Sequence, residues 1–158
     1  MIKQYNMQKQ ILYIDLDGVV VDLEGNAVKR HGDDAVNHLG KLTSIDKHLF
    51  DDPSPISGAI EAVTLLMKEY DVFFLSTAPW SNVNAWSAKR VWVQKHFGKL
   101  GHKRLILSHR KDLLMGDYLI DDRPNNGAAE FKGQWLQFGK EGFENWDKVL
   151  NYLIKSDI

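Results

Sequence analysis

The stretch that most constrains this chain covers residues 11–22 and reads ILYIDLDGVVVD. Its first part, Ile11–Ile14, is a short apolar run, which is typical of a strand buried on both faces of a sheet. Asp15 and Asp17 follow directly, and residues two apart on an extended backbone point to the same side. Gly18 then permits a sharp turn and a close approach of the backbone to a ligand. We therefore expect two carboxylates to lie close together where a strand leaves the sheet.

Carboxylates this close repel each other unless a cation or a shared proton lies between them. Oxygen ligands with room for water and phosphate are those that Mg²⁺ prefers, so Asp15 and Asp17 indicate a magnesium site. The alternative interpretation is a strand followed by an ordinary Asp-Gly turn with both acids solvated. Asp22, which ends the stretch, is expected to cap the N-terminus of a helix.

The composition narrows the class of protein. A chain of 158 residues has the length of one domain, and we expect a single domain over 1–158. The net charge of −1 gives no indication of a nucleic-acid surface or a polybasic membrane patch. The absence of cysteine excludes disulfides, thiolate catalysis and sulfur-ligated zinc, and it fits a reducing cytoplasm. The first ten residues are polar, and no apolar run approaches membrane-spanning length.

Strands and helices alternate along the chain, which predicts an α/β fold with a parallel sheet of about five strands and helices on both faces. The region at about 24–53 is rich in turn residues, and we expect small helices and loops outside the sheet there. The four further strands are predicted at Val72–Leu75, Arg104–Leu107, Asp117–Ile120 and Gln134–Phe138.

Apolar residues at three- and four-residue spacing predict three helices. The first is expected to be capped by Ser57. The second is expected to be capped by Ser81 or Asn82 and to end at Gly98. A closing helix is predicted over Phe143–Lys155. The apolar stripe predicted for the second helix is Val83, Trp86, Arg90, Val93 and Phe97.

Polar residues follow each of the first four strands, and in a parallel sheet the carboxyl ends of the strands meet at one edge, where ligands bind. Such a set suits a metal and a phosphoryl group better than a hydrophobic core. Taken singly, each of these residues has an ordinary structural explanation, whereas the ordered set does not. The set comprises Asp15, Asp17, Ser76, Thr77, Lys111, Asp121 and Asp122.

This order of motifs resembles the haloacid dehalogenase (HAD) superfamily of phosphotransferases. Four segments narrow the resemblance to the 5′(3′)-deoxyribonucleotidase family: DLDGV, FLSTAP, WVQKHFG and LIDDRP. The similarity covers about residues 11–22 and 53–138. It implies a Rossmann-like, HAD-type sheet with a small helical cap inserted after the first strand, and a Mg²⁺-dependent phosphatase.

The resemblance also implies a role for each matching residue. Asp15 would be the nucleophile that forms an aspartyl-phosphate, and Asp17 the general acid. Thr77 and the adjoining backbone at Ala78 would hold the phosphate oxygens, and Lys111 would offset their charge. The metal ligands implied are Asp15, Asp17 through its carbonyl, Asp121 and Asp122.

The chain departs from the family in the segment that recognises the leaving group. Animal members carry a longer cap with aromatic side chains against the base, whereas the stretch Leu23–Asp52 has only Phe50. Leu23 and Ala78 stand where those members have phenylalanine and serine. The nucleobase pocket therefore does not carry over, although Trp80 and Trp86 are candidates for lining the entrance. The six histidines show no metal-ligand spacing and are expected to be bystanders.

Three alternatives to a nucleotidase remain at this stage. The first is a HAD phosphatase for a small non-nucleotide phosphoester. The second is a receiver domain that accepts phosphate on an aspartate, which the order of the motifs disfavours because no aspartate ends the third strand. The third is a silent member that only binds a phosphorylated ligand. The expected partner is thus a small phosphorylated metabolite, without nucleic acid polymer or membrane, and the oligomeric state is left open.

Overall fold

Five parallel strands form one sheet in the computed structural model, which describes residues 7–154. The sheet order is β3-β2-β1-β4-β5, so β1 lies at the centre. The predicted α/β class and parallel sheet are confirmed. Within the described residues, no helix has the length and hydropathy of a membrane span. The strands are β1 (Ile11–Ile14), β2 (Asp71–Ser76), β3 (Leu105–Leu107), β4 (Tyr118–Asp121) and β5 (Gln134–Gln137).

The central position of β1 explains why its sequence is so apolar. Ile14 pairs with Phe74 of β2 on one side and with Ile120 of β4 on the other. A strand with neighbours on both edges and layers on both faces has no surface for a polar side chain. The chain leaves the sheet at Asp15, whose N–H still donates to the Ile120 carbonyl at 2.9 Å. The first carboxylate is therefore fixed to the rigid centre of the sheet.

Three α-helices cover one face of the sheet: α3 (Ala59–Glu69), α4 (Val83–Phe97) and α5 (Trp146–Leu153), with α1 and α2 defined below. Since side chains alternate along a strand, every second residue of the strands faces these helices. The resulting core buries Leu12, Ile14, Phe74, Ile120 and Leu136 from the strands, and Val63, Leu66, Trp92, Phe97, Trp146 and Val149 from the helices.

The opposite face of the sheet is covered mainly by loops. Tyr13, Leu75 and Leu119 point to this side and pack against Ala128 and Phe131. The helix expected here is reduced to a 3₁₀ turn at Lys111–Leu113, and the loop after β4 supplies the remaining cover. The loops that bring polar residues to the end of β1 therefore also form part of the core.

The segment between β1 and α3 contains α1 (Leu23–His31), a 3₁₀ helix (Asp33–His38) and α2 (Leu39–Ile45). Small helices outside the sheet are thus confirmed. Asp22 caps α1, since its carboxylate accepts the Gly25 N–H at 2.9 Å, as predicted. A separate apolar cluster joins this segment to the start of α4; it contains Leu23, Ala27, Ala35, Leu49, Phe50, Ala78 and Ala85.

One predicted cap is wrong, and another is confirmed in position but makes no capping hydrogen bond. Ser57 does not cap α3, because the N-cap position is Gly58 in the left-handed conformation. Asn82 occupies the N-cap position of α4 without a capping hydrogen bond. Its amide instead donates to the carbonyls of Thr43 and Asp46, both at 2.9 Å. The side chain is used for a contact distant in sequence, which local capping statistics do not anticipate.

The predicted stripe of α4 is also wrong in part. Val83 and Arg90 are exposed, whereas Trp92, Val93 and Phe97 are buried. The buried face also contains Ala85 and Lys89. The closing helix begins at Trp146 rather than at residue 143, and Asn145 caps it. Its predicted end at residue 155 lies outside the described residues.

Asp46 ties the inserted segment together at the end of α2. Its two carboxylate oxygens accept hydrogen bonds from the Arg30 guanidinium at 2.8 and 2.9 Å. His31 lies 2.7 Å away and the His48 N–H donates at 2.9 Å. The Arg30 hydrogen bonds, followed by those of His31 and His48, hold the pKa of Asp46 far below its ordinary value.

We expect Asp46→Asn to lower the free energy of unfolding by about 1–2 kcal/mol at pH 7, because charge-assisted hydrogen bonds are lost. An acid with a depressed pKa in the native state stabilises the fold above its unfolded-state pKa of about 3.9, and this contribution is lost below that pH. In denaturant titrations, the difference in free energy of unfolding between the wild type and Asp46→Asn should therefore be smaller at pH 3 than at pH 7. Asp34→Asn, which alters a largely exposed pair with His38, is the control. Equal costs for both variants would contradict the role of Asp46.

Candidate active site

The sequence-predicted polar residues meet at the carboxyl end of β1. A small cleft of about 30 Å³ lies there, which is about the space of one or two waters. The loop after β4 closes one side of it. The cleft is lined by Asp15, Asp17, Thr77, Lys111, Asp121, Arg123, Asn125 and Asn126. Four separate segments of the chain therefore converge on one point.

Three carboxylates form a cluster beside this cleft. One oxygen each of Asp15, Asp121 and Asp122 lies within 4.8 Å of the others. Asp121 is the last residue of β4, and the other two leave adjacent strands. The Oδ1 atom of Asp122 is buried and has no hydrogen-bond partner. Three acid oxygens with an unpartnered buried lone pair are a donor set that fits a hard divalent cation.

Gly18 makes room for this cluster. Its φ is +78°, and a Cβ at this position would lie 2.2 Å from Oδ2 of Asp122. A larger residue would therefore be strained and would displace the carboxylate. Glycine is thus needed after Asp17 because the Asp122 carboxylate, which directly follows β4, lies so close to this position.

Lys111 lies between two of the acids. Its side chain is buried, and Nζ is 3.2 Å from Oδ1 of Asp15 and also donates to Asp121. The Lys111 N–H donates to the Asn126 carbonyl at 2.8 Å. The loop after β4 thereby holds the lysine in register with the acids.

Burial dominates the protonation of the cluster. It raises the pKa of Asp15 to about 7, although Lys111 opposes the shift. Burial and then Asp15 raise the pKa of Asp122 to about 6. The pKa of Asp121 is also raised, again mainly by burial. Burial lowers the pKa of Lys111, but Asp15 and Asp121 outweigh it and the net shift is upward. The positive charge of Lys111 therefore does not offset the effect of burial on the pKa values of these acids.

Lys89 is a site residue that the sequence reasoning missed. Its side chain is 3% exposed and pairs with Oδ2 of Asp17. The same ammonium lies 4.7 Å from the centroid of the Phe50 ring. A buried lysine requires such partners, because an unpaired ammonium away from water is costly. Asp17 is thus held by α4 on one side while Asp15 is held by Lys111.

A sequence signal for Lys89 existed. Ala85, Lys89 and Trp92 follow each other at four- and three-residue spacing, which is one face of a helix. A lysine on the apolar face of a helix indicates a buried charge with a partner. The predicted stripe was rotated by about one position and named Arg90, so Lys89 was left out of it.

Thr77 and Ala78 occupy different environments. The Thr77 hydroxyl reaches the small cleft and donates to the Ser108 carbonyl at 2.7 Å. The Ala78 side chain is fully buried in the apolar cluster of the inserted segment. Only the backbone of Ala78 is therefore available for the predicted phosphate contact.

A larger cleft of about 500 Å³ opens next to the small one. One wall belongs to the inserted segment and includes Leu23, Leu39 and Phe50. The other wall includes Trp80 and His109, so one of the six histidines lies at this cleft. Asp17, Thr77 and Asp122 line its floor and connect the two clefts.

Comparisons with known proteins agree on one family. The model of the family described as "5′ nucleotidase, deoxy (Pyrimidine), cytosolic type C protein" matches residues 34–144. A candidate 5′(3′)-deoxyribonucleotidase of Vibrio phage KVP40 is 43% identical over 149 residues, which are 94% of this chain and 87% of that protein. The 5′(3′)-deoxyribonucleotidase of Bacillus subtilis is 26% identical over 168 residues, with 95% and 96% covered.

Solved structures agree on the fold. The HAD-hydrolase candidate YfnB of Bacillus subtilis, solved bound to magnesium, has a TM-score of 0.61 at 8% identity, with 92% of this chain and 99% of that chain covered. A haloacid dehalogenase-like hydrolase candidate of Burkholderia xenovorans has a TM-score of 0.51 at 14% identity, with 87% and 85% covered. The fold of this chain is thus shared with these two solved structures.

We expect the cation-free protein to become less stable as the pH rises from 5.5 to 7.5. Asp15 and Asp122 have native pKa values of about 7 and about 6, above the unfolded value of about 3.9, so the native state binds more protons in this range. Thermal unfolding in EDTA measures the slope. Asp15→Asn should reduce it, whereas Asp34→Asn should not. If Asp15→Asn leaves the dependence of stability on pH unchanged, the pKa of Asp15 is not raised in the native protein.

Proposed function

Because this chain belongs to the 5′(3′)-deoxyribonucleotidase family of the HAD superfamily, we propose that it hydrolyses deoxyribonucleoside monophosphates through an aspartyl-phosphate on Asp15, with Mg²⁺ as cofactor. The enzyme is a phosphatase of the nucleotidase type. The observation that carries the mechanism is the convergence of Asp15, Asp17, Thr77 and Lys111 on one cleft. The metal, the covalent intermediate and the residue roles are our proposal.

Asp15 is suited to the role of nucleophile. It is fixed to the central strand, and Lys111 holds one of its oxygens at 3.2 Å. In the first step a carboxylate oxygen of Asp15 forms a bond to phosphorus while the bond to the leaving alkoxide breaks. In the second step water attacks the phosphorus of the aspartyl-phosphate, inorganic phosphate leaves and the carboxylate is restored.

Asp17 is suited to the transfer of protons. It is more exposed than Asp15 and lines both clefts, so it faces the position of the leaving group. It gives a proton to the departing alkoxide in the first step and takes one from the attacking water in the second. Lys89 fixes the orientation of its carboxylate through the buried ion pair.

The metal would be held by Asp15, Asp121 or Asp122, and the main-chain carbonyl of Asp17. The acid cluster and the unpartnered oxygen of Asp122 fit such a cation. When bound, Mg²⁺ supplies positive charge that reduces the repulsion between a carboxylate and a phosphate dianion. Asp121 is already engaged by Lys111, which supports Asp122 as the more available oxygen donor.

Thr77, Lys111 and the Ala78 backbone would bind the phosphate. The Thr77 hydroxyl has one proton, which donates to Ser108 and can turn to a phosphate oxygen instead. Lys111 has one further ammonium proton beyond its contacts with Asp15 and Asp121. These donors would offset the charge of the transferring group.

The inserted segment at about 24–53 would act as the cap within one domain. It forms one wall of the larger cleft, which is large enough for a nucleoside as the leaving group. A small non-nucleotide phosphoester is the second candidate substrate, because this wall carries only one aromatic side chain, Phe50. A cytoplasmic location stays a prediction.

We expect the protein to hydrolyse p-nitrophenyl phosphate and dUMP or dTMP with Mg²⁺ present, and to lose this activity in EDTA. Asp15→Asn should reduce the rate on the order of a thousandfold or more, because the nucleophile is removed. Asp51→Asn, at an exposed acid paired with His48, is the matched control. Phosphate release is the measurement.

Two outcomes would change the assignment. Undiminished activity in EDTA would overturn the metal, and full activity of Asp15→Asn would overturn the covalent mechanism. If sugar or amino-acid phosphates are cleaved well while the nucleotides are ignored, the phosphatase stands and the nucleotide substrate does not.

We expect Lys89→Met to lower kcat for dUMP by about ten- to a hundredfold, because Asp17 loses the partner that orients it. The loss should be smaller for p-nitrophenyl phosphate, whose good leaving group needs little protonation. Lys95→Met, at an exposed lysine of the same helix paired with Asp52, is the control. Equal losses on both substrates would indicate a structural role for Lys89 rather than one through Asp17.

A further inference from the structure

Trp80 is the most unusual side chain at the larger cleft. It lines the cleft and is nevertheless 81% exposed. Tryptophan is among the most buried residues on average, and so large an exposed ring at a cleft is typical of a contact with another molecule. The residue lies three positions after Thr77, in the loop between β2 and α4.

Two further rings hold Trp80 in place. Its centroid lies 6.1 Å from Trp86 and 6.1 Å from His109, at steep interplanar angles of 78° and 68°. Trp86 and His109 are 5.8 Å apart, and the Trp86 indole N–H donates to the Pro79 carbonyl at 3.1 Å. We call Trp80, Trp86 and His109 the aromatic ledge. Edge contacts of this kind fix a ring while leaving most of its surface free.

The aromatic ledge is built on the same two loops as the proposed phosphate site. Trp80 follows Thr77 by three residues, and His109 precedes Lys111 by two. Both loops leave neighbouring strands, β2 and β3, at the same edge of the sheet. The loop of Trp80 is held by the sheet edge and also by Asn82, which donates to the Thr43 and Asp46 carbonyls of the inserted segment. A nucleotide likewise carries a flat base within a limited reach of its phosphate, because one sugar joins the two.

The aromatic residue of the opposite wall is poorly placed for stacking. Phe50 is only 3% exposed, and the ammonium of Lys89 lies 4.7 Å from its centroid. One face of the ring is thus already occupied by a cation. Phe50 lines the cleft, but a ring this buried has no open face for a base.

We propose that the aromatic ledge stacks the planar base of the leaving group, with Trp80 as the contacting ring and Trp86 and His109 as its supports. This inference rests on the proposed function and names the residues that select its substrate class. Aromatic stacking accepts any flat base, since every base has a π-face. The subsite therefore selects a nucleoside over an aliphatic alcohol, and it discriminates little between one base and another.

The test compares kcat/KM for dTMP with kcat/KM for glycerol phosphate. Trp80→Ala should lower the ratio on the order of tenfold, mainly through KM for dTMP, because a stacked base is lost. Trp80→Phe keeps a ring and should retain most of the ratio. Val83→Ala is the matched control, since Val83 is 77% exposed on the first turn of α4 and does not line the cleft. Calorimetric titration of dTMP into Asp15→Asn, with and without Trp80→Ala, measures binding without turnover.

The outcomes separate the two levels of the assignment. A phosphatase with an unchanged ratio and unchanged dTMP binding in Trp80→Ala overturns the aromatic ledge and leaves the proposed function standing. Parallel losses on both substrates, without rescue by Trp80→Phe, also overturn it, because they indicate damage to the fold. A wild-type protein that hydrolyses no phosphomonoester and binds no dTMP overturns the proposed function and the ledge together.

Discussion

The ion pairs of two buried lysines with the acids at the end of β1 are the constraint on which the site depends. Lys111 contacts Asp15 and Asp121, and Lys89 contacts Asp17. Asp122 is a fourth carboxylate at this edge, and Arg123 is a further cation beside it. Burial raises the pKa of Asp15 to about 7, although Lys111 opposes the shift. The fold thus holds several carboxylates close together, and a cation bound among them would reduce their repulsion.

The sheet is what makes this cluster possible. Parallel strands end at one edge, so residues that are distant in sequence converge without any local signal for contact. β1 is clamped between β2 and β4, and its apolar side chains anchor the first carboxylate within a rigid core. The loop after β4 does the same for Lys111 through the Asn126 carbonyl. Rigid elements therefore hold the charges that would otherwise move apart.

Much of the fold and of the site could be predicted from sequence. The strands were found because buried runs such as Ile11–Ile14 are short and apolar, and Asp22 was found because a cap is a local interaction. Ser57 was assigned wrongly, since Gly58 is the N-cap residue of α3. Asn82 was placed correctly at the start of α4, but its side chain bonds to Thr43 and Asp46 rather than to the helix, which a local pattern does not anticipate. Lys89 was missed because the predicted stripe was rotated by about one position, although Ala85, Lys89 and Trp92 share one face of α4.

Lys89 also links the two halves of the site. Its ammonium neutralises Asp17 and at the same time lies over Phe50, so the cation that serves the chemistry occupies the aromatic face of the inserted segment. A flat leaving group must then find its stacking surface elsewhere. The loops after β2 and β3 offer one in Trp80 and His109, next to Thr77 and Lys111. In the proposed arrangement the inserted segment forms one wall of the cleft, while the loops at the sheet edge would supply both the phosphate contacts and the stacking ring. A chain with a reduced cap would in this way keep selectivity, because Trp80 and Thr77 lie on the same loop.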